Sequence, residues 1–375
     1  MTAVITGMGA VTSVGRSAFA ACAAIRARIG RPRKLGYFRI VDEETQEEVG
    51  LVGHPLKGYT EGFNLVGRWL RLAQGGLEDL LAAPGAPQAE DSRFWARTAL
   101  VGVLPVPGDL LPVDADEVGP LVDLTLRPLR EGLELAVPEH LMEVVAVGHA
   151  GMAVALERGL QALATGTLER LLVVAVDSYL TPLPLRRLAQ ERRLKTEAQP
   201  VGLMPGEAAV CFLLEREAEA RRRKAVPFAR ITASATGQEE QPEPGRRHFS
   251  GIALAECVRE ALQRSAAPLP FNGDFHIDLN GEPWRARHWG GALTRLRPQL
   301  ADPQVHTVAS SVGDTGAASG ALGLCLATYG LAWGHTRSGL ALVVSSSEEG
   351  AVGCVAVQSL EGPAHWSFLR KEALK

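Results

Sequence analysis

Two segments of the chain, residues 152–164 and 317–327, carry small and apolar side chains on nearly every face. A helix apolar all round must be covered on several sides, which predicts a layer of helices held between sheets. The flanks of the two segments correspond. Before the first stand the apolar run 141–147 and the turn Gly148-His149-Ala150-Gly151; after it come Thr165-Gly166 and the run 171–176, ending in Asp177-Ser178. Before the second stands Gly313-Asp314-Thr315-Gly316; after it come Tyr329-Gly330 and the run 340–344, ending in Ser345-Ser346. A glycine turn, an apolar helix and a Val-Val strand appear once in each half, the pattern of a repeated unit.

Length agrees with duplication. At 375 residues the chain exceeds the roughly 250–300 at which one hydrophobic core stops growing. The expected halves are 1–224 and 225–375. Hydrophobic residues make up 46%, with 40 glycines and only 5% aromatics, so the apolar mass is Ala, Leu and Val. That mixture suits close packing of helices on largely parallel strands and predicts an α/β fold.

Elsewhere, residues 4–11 read as a buried strand running into a glycine-rich turn, followed by a helix over 17–27. Gly7 and Gly9 lack the third glycine and the acidic partner of a dinucleotide fingerprint, so no cofactor is expected there. Residues 31–64 and the proline- and alanine-rich 82–90 read as surface excursions. The run from Gly206 to Glu215 is a turn and strand, followed by a charged helix over 216–224 and a strand over 229–235. The cations Arg221, Arg222, Arg223 and Lys224 suit a helix C-terminus and are balanced by Glu215, Glu217 and Glu219, which favours a solvated helix over a nucleic-acid patch.

A net charge of −3 gives no electrostatic footprint for nucleic acid. The start of the chain has no basic region before its apolar run, glycines interrupt that run, and no stretch is long enough to span a membrane. Cys22, Cys211, Cys257, Cys325 and Cys354 are odd in number, widely spaced and without a C-x-x-C pair, which points away from disulfides or zinc and toward a reducing cytoplasm. His276, Asp278 and His288 match no compact metal-ligand spacing. Ser310-Ser311 and Ser345-Ser346-Ser347 lack a nucleophile elbow and read as turn hydroxyls.

In order along nearly the whole chain, the segments resemble the β-ketoacyl synthases of the thiolase-fold superfamily. Val4-Ile5-Thr6-Gly7-Met8-Gly9 resembles their opening strand, and Thr181-Pro182-Leu183 the segment after their central helix. Gly206-Glu207-Ala208-Ala209 with Leu213-Leu214-Glu215 is similar to their G-E-G-A strand. Gly313-Asp314-Thr315-Gly316-Ala317-Ala318-Ser319-Gly320 is similar to their G-H-T-x-G-A-A-G motif. The resemblance implies a duplicated, five-layered αβαβα fold that dimerises through its first half.

The same resemblance implies a cysteine at a helix N-terminus, two histidines and a lysine. A helix N-terminus favours the thiolate, and the histidines handle the carbanion and proton. At the matching positions stand Gly148, Asn280, Asp314 and Ala309. No cysteine lies between Glu143 and Ser178, so no shift of register restores the nucleophile. The family's oxyanion loop falls on residues 345–350, where Glu348 and Glu349 are expected to repel an anion. His149 is the one residual candidate, able to face Asn280 and Asp314.

The expected protein is therefore a non-catalytic ketosynthase-like subunit without cofactor or metal. It would form a homodimer, or a heterodimer with a thiolase-fold or other protein. One form is a chain-length-factor-like partner of an active ketosynthase; another is an accessory protein that loads effectors in a bacterial secretion system. Acyl carrier protein or an effector would be its further partner. The rival is an enzyme acting on acyl thioesters by non-covalent His149 and Asp314 chemistry.

Overall fold

The computed structural model describes residues 3–41, 46–108, 119–197, 199–240, 247 and 249–360. Its strands are β1 (Ala3–Thr12), β2 (Arg33–Val41), β3 (Glu48–Gly53), β4 (Thr98–Val103), β5 (Met142–Val145) and β6 (Arg170–Ser178). They continue with β7 (Glu207–Arg216), β8 (Ala229–Gln238), β9 (Asp274–Ile277), β10 (Gln304–Thr307), β11 (Leu340–Ser346) and β12 (Ala351–Gln358).

Ten strands are hydrogen-bonded in the order β5-β4-β6-β7-β1-β8-β12-β11-β9-β10. Outward from the β1–β8 junction, each side lays down its own five strands first, fifth, fourth, second, third. The directions repeat as well, with two antiparallel pairings followed by two parallel ones on each side. The junction itself is short: Ala3 faces Ile231, Val4 faces Arg230 and Ile5 faces Ala229.

Side chains of period two sort these strands into layers. In β6, Leu171, Val173 and Ala175 point to a central core, while Leu172, Val174 and Val176 point to an outer one. In β11, Ala341 and Val343 join the central core, and Leu342 and Val344 join a second outer core. The helices Ala18–Arg26, Gly151–Thr165 and Ala318–Ala332 fill the centre. Leu65–Leu81 covers the outer face of the strands β1, β4, β6 and β7, and Ile252–Arg264 with Pro283–Leu296 covers that of β8, β9, β11 and β12. The result is αβαβα, as the resemblance implies.

The two central helices of the sequence reading differ in cover. Ala318–Ala332 is buried along its whole length apart from Tyr329. Gly151–Thr165 keeps an open flank at Arg158 and Gln161, so the expectation of burial on all sides fails for it. Ala318–Ala332 also runs past Gly330, where the sequence suggested closure. A helical glycine costs only about 1 kcal/mol, and the chain turns instead at Gly334, whose φ is +66°.

Two further expectations change. Gly7 and Gly9 lie inside β1, not in a turn, and a Cβ at Gly9 would collide with the carbonyl of Gly76, so that glycine exists to let Leu65–Leu81 pack on the strand. Within 31–64, β2 and β3 pair as an antiparallel hairpin, whose apolar residues Leu35 and Leu51 pack on Leu180, Leu185 and Leu203. The charged helix is Glu217–Arg222; Arg221 donates to Glu217, Arg222 to Glu219, and Arg223 to Glu215.

Candidate functional site

Gly151–Thr165 and Ala318–Ala332 begin beside the carboxyl ends of β6, β9 and β11, the end of a parallel sheet where ligands commonly bind. Here the structure brings His149, Asn280 and Asp314 together. His149 Nε2 lies 2.9 Å from Asp314 Oδ1, and Asn280 Nδ2 donates to Asp314 Oδ2 at 2.5 Å. The Gly316 N–H donates to Asp314 Oδ1 at 2.9 Å. Burial alone would raise the Asp314 carboxyl, but His149, Arg285 and Asn280 outweigh it and hold the group well below the usual carboxylate range.

Gly148, which the resemblance sets at the nucleophile position, opens the 3-10 turn Gly148–Ala150 that leads into Gly151–Thr165. Its φ is +71°, and a Cβ built there would find Ser347 Oγ at 3.5 Å, an ordinary contact. Backbone geometry, not lack of space, is what favours glycine. Ser347 is itself committed, donating to the Val147 carbonyl and accepting from the Ala150 N–H at 3.0 Å. Ala309 opens the one-turn helix Ala309–Val312 just before Gly313 and does not line the cleft.

Sequence reasoning missed three participants. Asp177, at the end of β6, accepts from the Ser178 and Ala317 N–H groups at 2.7 and 2.9 Å. Burial dominates and pushes its carboxyl up to about 7. Gly316 leaves room for it, since a Cβ there would strike the Asp177 carboxylate. Asp177-Ser178 was visible as a strand end, but nothing in the sequence marked its burial.

Arg193 and Glu282 are the others. Arg193 Nε donates to Glu282 Oε1 at 2.6 Å, and its Nη2 to Glu348 Oε1 at 2.6 Å. Glu282 also accepts from Asn280 at 2.8 Å, so one chain of polar contacts runs from His149 through Asp314, Asn280, Glu282 and Arg193 to Glu348. Burial would raise Glu348, but Arg193 brings it down to about 2. The expected repulsion by Glu348 is therefore offset by a buried guanidinium. Three N–H groups of the loop around it are also committed. Ser346 N–H donates to Asp278 at 2.7 Å, Ser347 N–H to Ala351 at 2.7 Å, and Gly350 N–H to Ser347 at 3.2 Å.

The cleft at this cluster holds about 70 Å³, with Gly148, His149, Asp177, Arg193 and Glu348 on its walls. That admits a few water molecules, far less than the roughly 300–1,000 Å³ of ordinary ligand pockets. All five cysteines are buried and lie away from it. Burial raises the thiols of Cys211 and Cys354, and that of Cys257 to about 12, so none of these is a thiolate at neutral pH. His276, Asp278 and His288 are separated in function: His276 stacks on His306, Asp278 pairs with Arg285 and His288 with Glu239. Among the described residues no group of His, Cys, Asp and Glu could hold a metal ion, and no helix is long and apolar enough to cross a membrane.

No protein-family model matches the chain, and no curated protein matches it in sequence. Solved structures do. The ketosynthase from module 6 of the bacillaene synthase of Bacillus subtilis 168 has a TM-score of 0.74 at 14% identity, over 96% of this chain and 73% of that one. A chain of the ishigamide ketosynthase/chain length factor has a TM-score of 0.74 at 16% identity, over 96% and 99%. A chain of AntDE:AntF, a type II PKS acyl-carrier protein in complex with its ketosynthase bound to the hexaketide, has 0.73 at 15%, over 96% and 99%. Ketosynthases and a chain length factor thus share this fold, and identities this low speak to the fold alone.

Proposed function

We propose that the chain is a non-catalytic ketosynthase-like protein that acts as a protein-binding or assembly subunit. The observation that carries this reading is Gly148: where we place the acyl-accepting thiol there is backbone alone, at the head of Gly151–Thr165. His149, Asn280 and Asp314 are bonded to one another, and the cleft is too small for an acyl chain. We read Asn280, Asp314 and Ala309 as the replaced family positions, and the chain as two halves divided near Ala225.

The partner we favour is a second thiolase-fold chain, as in the chain-length-factor arrangement. The terminal strand β5 leaves an edge of the first half without a strand neighbour among the described residues, and the flank of Gly151–Thr165 beside it is open. Unpaired edges are sites where another chain can add. An acyl carrier protein would then meet the pair. Recovery from the native host with an unrelated secreted effector would instead support the adaptor role.

The test combines affinity purification with intact-mass analysis. Expected are a stoichiometric thiolase-fold partner and no covalent adduct after incubation with a panel of acyl thioesters. An acyl adduct on the chain itself would overturn the proposal. A second reading, acid–base chemistry on an acyl thioester, is supported by Asp177, a buried carboxyl near neutral pKa on the same cleft as His149. Turnover that disappears in His149→Ala would favour it.

A further inference from the structure

The helix Ala318–Ala332 has a second end. Its 15 residues carry the chain about 22 Å from the Asp314 cluster, and there Tyr329 and Trp333 open onto a cavity of about 820 Å³. In a chain with 5% aromatics, the rings converge here. Phe19 lies 5.8 Å from Phe228, 6.2 Å from Tyr329 and 6.4 Å from Trp333. All four line the cavity, and Leu80 and Leu213 extend its apolar wall.

The polar groups around it are mostly spoken for. Thr6 donates its hydroxyl to Glu215, and Arg223 is held on Glu215 at 2.9 and 3.0 Å and on the Gly85 carbonyl at 3.0 Å. Lys224, exposed on the rim, has no ion-pair partner among the described residues. An open apolar space within the size range of ligand pockets is unfavourable when only water fills it, and marks a binding site. One uncompensated cation at its mouth selects an anion at one end of the occupant.

We propose that this cavity binds a single-chain anionic amphiphile, its apolar chain against the Phe19, Phe228, Tyr329 and Trp333 rings and its carboxylate or phosphate head at Lys224. The site is remote from the His149 cluster, so it stands or falls apart from the function proposed above. The full chain is titrated by calorimetry with palmitate, with 1-palmitoyl lysophosphatidate and with hexadecanol, each below its micellar concentration.

One anionic ligand should bind per chain, with the uncharged alcohol about fivefold weaker or worse. The tighter of the two anions identifies the head group. Ala23→Trp fills the cavity from an exposed helix position and should weaken binding by about tenfold or more. Lys224→Glu should weaken both anions by about fivefold and leave the alcohol unchanged. Thermal unfolding of each variant checks that the fold is retained. No binding by either anion, equal binding of the alcohol, or binding unchanged in folded Ala23→Trp would overturn the proposal.

Discussion

Nε2 of His149 sits 2.9 Å from Oδ1 of Asp314, with both side chains buried. The carboxylate is ionised because of this partner together with Arg285 and Asn280. Its folded pKa lies below the unfolded value of about 3.9, so its contribution to stability is present above pH 4 and is lost as pH falls. Asp314→Asn should cost about 3 kcal/mol at pH 7.5. The gap from the parent should narrow below pH 4 in urea unfolding, and a gap independent of pH would contradict the assignment.

Asp177 has the opposite sign. Burial raises its carboxyl to about 7, so between pH 4 and 7 the folded chain binds a proton that the unfolded chain releases. Stability from this group is full below about pH 4 and falls as pH rises to about 7, by at most about 4 kcal/mol. Asp177→Asn should flatten the decline between about pH 4 and 7. Parallel pH profiles for variant and parent would rule this out.

The architecture was legible where periodicity and glycine placement agree. The small-residue segments near Met152 and Ala321 fixed a central helical layer, and the recurring turn–helix–strand order signalled duplication. The ends were less legible. Gly330 resembles a stop but is carried through by the packing of Leu331 and Ala332, and the hairpin of β2 and β3 is hidden by its charged exposed face. At the site, the sequence could bring His149, Asn280 and Asp314 into one neighbourhood through the resemblance. It could not reveal Arg193, because its partners Glu282 and Glu348 are distant in the chain and only the fold joins them.

That ion network gives a third prediction. Arg193 is buried between Glu282 and Glu348, and its removal takes the bidentate cation from two poorly solvated carboxylates, leaving Glu282 with Arg285 at 3.8 Å and Glu348 with the less buried Arg247 at 3.0 Å. Arg193→Met should lower stability by about 3–5 kcal/mol at neutral pH. Adding Glu282→Gln and Glu348→Gln should recover a large part of the loss, because the uncompensated charge rather than the missing side chain is the cost. Triple and single variants of equal stability would show that Arg193 acts through packing alone.

Introducing a thiol at Gly148 tests the proposal that the site departs from a ketosynthase's by more than its nucleophile. Gly148→Cys is sterically admissible, since the nearest atom to the new Cβ is Ser347 Oγ at 3.5 Å. The left-handed backbone should cost about 1–2 kcal/mol. A thiol at the head of Gly151–Thr165 lies at the positive end of the helix dipole, which favours the thiolate. The variant should therefore be alkylated once by iodoacetamide and accept one acetyl group from an acetyl thioester. Chemistry should stop there. In the proposed alignment Asn280 and the ionised Asp314 take the two histidine positions; the Asn280 amide already donates to Asp314 and Glu282, Asp314 adds negative charge beside any developing carbanion, and the nearby Ser346, Ser347 and Gly350 N–H groups already have acceptors. Intact mass should show a stable acetyl adduct, and chromatography no condensed product from a malonyl thioester. Release of such a product would mean that the surrounding residues still support catalysis and that Gly148 alone silences the chain.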